Sequence, residues 1–172
     1  MKKVLWVCAL ALAAAVVVGP VAPALAGPGW EVVKGEALKK GFVHEFYLEG
    51  NAIPTQERNT TMVQSDGKRL VFSLLDTSGY GADIQAKYVG MAIVEEPVSV
   101  GGVSLAVGAY GFGLEKGEGD ASGTFHVYDV AGQEVGSGSA PHDADLAQPV
   151  PLQVVTGETT KLYLGRYALE IK

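Results

Sequence analysis

The run Leu74-Leu75-Asp76-Thr77-Ser78-Gly79-Tyr80-Gly81 sets one carboxylate between an apolar stretch and a glycine-containing turn. A strand end can hold a carboxylate still while the turn after it stays open to water or substrate, a placement suited to general acid or base work. Asp76 is therefore the one catalytic candidate. Other chemistries lack their residues. The imidazoles are His44, His126 and His142. Carboxylates beside them, such as Glu45, Asp143 and Asp145, could help hold a divalent ion. No His-x-His or His-x-x-x-His spacing brings two imidazoles to one face, so no metal set is assigned. No serine occupies a Gly-x-Ser-x-Gly elbow between strand and helix, and Gly136-Ser137-Gly138-Ser139 lies in the wrong context for one. Gly79-Tyr80-Gly81 precedes a helical pattern, but the third glycine of a dinucleotide loop would fall on Ile84. No Lys-Ser/Thr pair of a phosphate-binding loop is present, and Asp83 would repel phosphate. Counted as a calcium loop from Asp76, the last ligand position falls on Lys87, where a bidentate glutamate belongs. No cofactor is expected.

Leu74-Leu75-Asp76-Thr77 resembles the apolar-apolar-Asp-Thr-Gly signature of aspartic proteases over a stretch of about five residues. Ser78 stands where that family has glycine. The resemblance implies that Asp76 would share a proton with a second aspartate, because two close carboxylates do not both ionise easily. The chain carries one copy of the pair, so the resemblance also implies a homodimer of the retroviral type. Ordinary turn chemistry accounts for the same residues. In that reading Asp76 ends a buried strand, and Ser78 or Asp83 caps a helix that starts near Ala82.

A second candidate site is defined by missing side chains. In Tyr110-Gly111-Phe112-Gly113 one face of a strand carries rings and the other carries nothing. A bare strand face admits close approach by a neighbouring ring, a helix or a ligand. Tyr110, Gly111, Phe112 and Gly113 are the candidate ligand-binding residues, at a small apolar cavity.

The elements that must position these groups are mostly strands. Short β-branched and aromatic runs alternate with Gly, Pro, Asn and Asp clusters, which predicts strands near 42–48, 60–64, 69–75, 91–95, 98–105, 110–115, 124–129, 152–155 and 161–171. Helical spacing is confined to 82–88, where Ile84 and Tyr88 share a face; residues 36–40 suit one helical turn, ended by Gly41. Val98-Ser99-Val100, Gly101-Gly102, Val103-Ser104-Leu105 reads as a hairpin on a two-glycine turn, and Asp66-Gly67 as the turn of another. From Val103 to Glu115 the bulky apolar parity changes sides near Gly108. A regular strand cannot do this, and thirteen residues would span roughly 40 Å. A bulge or bend is expected at Gly108, and another at Gly165, where Leu162 and Leu164 differ in parity from Tyr167, Leu169 and Ile171. Gly136 to Ala140 and the stretch up to Pro151 read as a long loop. The expected fold is all-β: a single antiparallel barrel or a two-sheet sandwich with bulged strands and one short helix at about 82–88.

The first residues predict export. Lys2 and Lys3, the uncharged run Val4–Val18, the breakers Gly19 and Pro20, and Ala24-Leu25-Ala26 form a cleaved secretory signal over 1–26. A single β-rich domain over 27–172 would remain, in the periplasm or secreted. Cys8 lies in the signal, so the mature chain holds no thiol and no disulfide. Removing two lysines leaves 11 basic against 19 acidic residues and moves the formal charge from −6 to −8. That balance argues against nucleic acid and anionic membranes as partners, and the irregular strands argue against a membrane barrel, so no membrane insertion is expected after processing. The expected function is noncatalytic binding of an unknown small molecule or protein partner in the cell envelope. A hydrolase using Asp76, aspartic-type or metal-assisted, is one alternative. A structural component of an envelope assembly is another.

Overall fold

A computed structural model describes residues 29–172; the expected signal segment, with Cys8, lies outside the described residues. The chain runs through β1 (Glu31–Val33), α1 (Glu36–Gly41), β2 (Glu45–Leu48), β3 (Asn51–Ser65), β4 (Lys68–Leu75), α2 (Ala82–Lys87), β5 (Gly90–Val94), β6 (Val98–Val100), β7 (Val103–Leu105) and β8 (Gly108–Glu115). It continues through β9 (Gly123–Tyr128), β10 (Glu134–Ala140), β11 (Gln153–Val155), β12 (Thr160–Leu164) and β13 (Tyr167–Ile171). Among the described residues these strands form two antiparallel sheets, and no closed barrel. The eight-stranded sheet has the order β1-β3-β4-β5-β8-β9-β10, with β2 paired to β3. The five-stranded sheet has the order β11-β12-β13-β6-β7. No described helix is long and apolar enough to cross a membrane.

Strict alternation divides the large sheet into two faces. Leu70, Phe72, Ala92, Val94, Phe112, Phe125 and Val127 point inward, against Val100, Leu105, Leu162, Leu164, Leu169 and Ile171 of the small sheet. The intervening residues Met62, Val71 and Met91 point outward and would waste their apolar area in water. A second layer covers them: Phe46 and Leu48 of β2, Leu38 of α1, and Ile84 and Tyr88 in and just after α2. The sandwich therefore has two apolar clusters, one between the sheets and one under the helices.

Several expected elements change when tertiary pairing is added. The parity break near Gly108 is a change of sheet. β7 belongs to the small sheet and β8 to the large one, with Ala106 and Val107 between them. The break expected as a bulge at Gly165 is instead a two-residue turn. Leu164 pairs with Tyr167, and Gly165 sits at φ 63°, so β12 and β13 form a hairpin. The segment 136–140, expected as loop, is strand β10, paired to β9 from Glu134 to Ala140. Its Gly138 abuts the Gly101 carbonyl, where any side chain would collide, and its Gly136 lies close against the Val103 side chain. Helix α2 also lacks the expected side-chain cap: its N-cap is Gly81, and neither Ser78 nor Asp83 caps it.

Candidate functional site

Asp76 follows the last residue of β4, and its backbone N–H donates to the Pro54 carbonyl at 2.8 Å. Its carboxylate accepts from the Ser78 hydroxyl at 2.7 Å and the Ser78 amide at 3.2 Å. These two bonds, the hydroxyl's first, hold its carboxyl below the ordinary range. The side chain is exposed, and both bonds fall on its Oδ1, which serves the turn.

The four candidate ligand-binding residues divide between faces. Phe112 is buried between the sheets against Phe125, ring centroids 5.7 Å apart. Tyr110 packs at the margin of the same cluster and donates to the Ala106 carbonyl at 3.0 Å. Gly111 and Gly113 face outward. A side chain at Gly111 would strike the Tyr88 ring, and one at Gly113 would strike the Lys87 carbonyl. The bare strip is thus where the end of α2 lands on the sheet. Beside that landing lies an opening. Gly113, Lys87, Glu115, His126 and Tyr128 line a cleft of about 350 Å³. His126 pairs across the strands with Gly113. Its Nδ1 lies 3.0 Å from Glu134 Oε1, and its Nε2 lies 3.9 Å from Glu115 Oε2. The His126 ring stacks on Tyr128 with an interplanar angle of 18°.

The rim of this cleft is fixed by a polar network that no local spacing announces. Lys87 Nζ donates to Glu49 Oε1 at 2.6 Å and to the Gly132 carbonyl at 2.5 Å. It also sits 4.8 Å from the Tyr128 ring centroid and 5.3 Å from that of Tyr88. Tyr88 donates its hydroxyl to the same Glu49 oxygen at 2.7 Å. Glu49 lies in the left-handed region at φ 51°, and its own N–H donates to the Val130 carbonyl at 2.9 Å. The network ties the β2–β3 turn, the end of α2 and the β9–β10 turn together. The Lys87 bond first, and then that of Tyr88, pulls the Glu49 carboxyl below its ordinary range. Burial first, then Glu49, raises the Tyr88 phenol. Lys87, Tyr88 and Glu49 were not expected at a site. Glu49 is 38 residues from Lys87 and 39 from Tyr88 along the chain, and only the fold joins them.

The other imidazoles stand apart. His44 is exposed beside the Phe42 ring. His142 bridges to Tyr167, with Nδ1 3.5 Å from Asp120. Asp143 accepts from the Tyr163 hydroxyl at 2.9 Å, and Arg166 gathers the carbonyls of Asp143, Ala144 and Leu146 at 3.2, 2.9 and 3.0 Å. Among the described residues no three His, Cys, Asp or Glu side chains converge in a way that could hold a metal ion. No protein-family model, curated protein or solved structure matches the chain, so the site is read from its own geometry.

Proposed function

We propose that this chain is an exported, noncatalytic β-sandwich domain of the cell envelope. It captures a small ligand or a protein partner at the cleft beside Gly113. The observation that carries the reading is the cleft of about 350 Å³ that Lys87, Glu115, His126 and Tyr128 line beside the covered Gly113. Such a recess combines a ring, a cation and carboxylates within reach of one ligand, the mixture that orients bound molecules. Export is supported by Lys2-Lys3, the apolar run Val4–Val18 and Ala24-Leu25-Ala26, which place the mature N-terminus at Gly27. The bonds from Ser78 support a turn role for Asp76.

The test is native mass spectrometry of the protein recovered from the exported fraction. A co-purified mass should be retained by Asp76→Asn and lost by His126→Ala. An N-terminal sequence beginning at Met1 would remove export from the reading. A folded Asp76→Asn protein that had lost a measured hydrolytic activity would replace binding with catalysis.

A further inference from the structure

Strand β13 receives two different chain segments along one edge. At Glu170–Lys172 its partner is β6: Gly101 N donates to the Glu170 carbonyl at 2.9 Å, and Ser99 and Lys172 exchange bonds of 2.8 and 2.9 Å. At Tyr167–Ala168 its partner is the continuation of β10. There Ala168 N donates to the Pro141 carbonyl at 2.9 Å, and His142 bridges Tyr167. The two segments part along this edge, and residues from both line a cleft of about 430 Å³.

Small residues keep the fork open. Gly101, Gly102, Ser99, Ser139 and Ala168 all line it. The two glycines sit at φ 58° and 85°, a turn that side chains would strain. Three charged residues reach the same space. Glu170 and Lys172 pair at 2.8 Å in an exposed setting, so they largely cancel and part at little cost. Lys161 stands opposite Glu170 in the β12–β13 register, yet it makes no ion pair among the described residues. Lys161 thus brings a cation to a recess that Ser99 and Ser139 also line, on a chain whose formal charge is −6. It makes a local positive point in a field that is negative elsewhere.

We infer that this fork binds a compact oxyanion, the carboxylate or phosphate group of a small solute. Lys161 supplies the charge, the Ser99 and Ser139 hydroxyls supply neutral donors, and Lys172 can swing from Glu170 to the ligand. Charge-assisted hydrogen bonds of this kind discriminate anions from neutral solutes. The fork is separate from the cleft at Gly113 and stands independently of the reading given to that cleft.

The test titrates the ¹⁵N-labelled protein with inorganic phosphate and, separately, with succinate at constant ionic strength. The amides of Ser99, Gly102 and Ser139 should shift saturably with one or both anions, and the pattern identifies the headgroup. Lys161→Gln should raise Kd about tenfold or more, and Lys161→Arg should keep binding. Affinity should also fall as sodium chloride is raised, a readout that needs no variant. The inference is overturned if neither anion moves these amides, if Lys161→Gln binds as well as the parent, or if affinity is independent of salt.

Discussion

The outer face of the eight-stranded sheet carries two unlike surfaces on one backbone. Over β3, β4 and β5 it is apolar: Met62, Val71 and Met91 are buried under Phe46, Leu48 and Tyr88. Over the end of β8, β9 and β10 it is polar and open, presenting Glu115, His126, Glu134, Ser137 and Ser139. The border runs through Gly111 and Gly113, where the end of α2 rests on bare backbone. Burial of one half contributes stability. The other half contributes little, so its residues are free to serve a ligand. The same sheet thus separates what holds the fold from what faces a partner, and the border is drawn by two glycines and one lysine.

Substitutions on either side should break that contrast by graded amounts. Leu48→Ala empties a fully buried position in the covered half; unfolding free energy should drop by about 2–5 kcal/mol in urea titration. Gly113→Val pushes a side chain into the Lys87 carbonyl. A loss of about 1–3 kcal/mol is expected, with faster amide exchange in α2; an unchanged melting temperature would mean that the helix end does not rest there.

Lys87→Met removes the pin at the border. Both partners are part-exposed, so the cost should be about 1 kcal/mol or less at neutral pH. Its pH dependence is more telling. A carboxyl depressed in the folded state contributes stability above its unfolded value, and loses it as pH falls through the folded one. Glu49 is depressed chiefly by Lys87. The gap between parent and Lys87→Met should therefore be constant above the ordinary glutamate range and close as pH falls below it. A gap that widened on acidification would exclude Glu49 as the partner that matters.

His126→Ala lies in the open half and should change stability by about 0.5 kcal/mol at most, while abolishing retention of a ligand bound beside Gly113. Asp76→Asn should have the smallest effect. Its exposed carboxylate serves Ser78 alone among the described residues, so a slight fall in melting temperature is expected and no change in binding.

Much of the sandwich was legible where neighbours along the chain decide the outcome. The Gly101-Gly102 hairpin, β4, β5 and α2 follow from local alternation, periodicity and turn chemistry. The parity change near Gly108 marked the place where the chain leaves one sheet for the other. What could not be read was set by distant partners. Gly136-Ser137-Gly138-Ser139 has the composition of a linker, but it is strand because β9 pairs with it and the β6–β7 turn needs glycine beneath. Gly165 has the same left-handed geometry as a turn glycine, and parity alone could not separate a bulge from a tight hairpin. The bare face of Gly111 and Gly113 was visible as a gap to be filled. That Tyr88 and the Lys87 backbone fill part of it, and that Glu49 fixes them, depends on a contact spanning 38 residues.

The register of β6 has a consequence for the order of assembly. Val100 pairs with Ile171, so an early strand of the small sheet waits for a late one. Delivered from its N-terminus, as a ribosome does, the chain cannot close that sheet until β13 has emerged. Before then Val100, Leu162 and Leu164 lack the Leu169 and Ile171 side chains that share their cluster. Such long-range closure is slow and leaves strands unpaired meanwhile, so the small sheet stays open until β13 joins it.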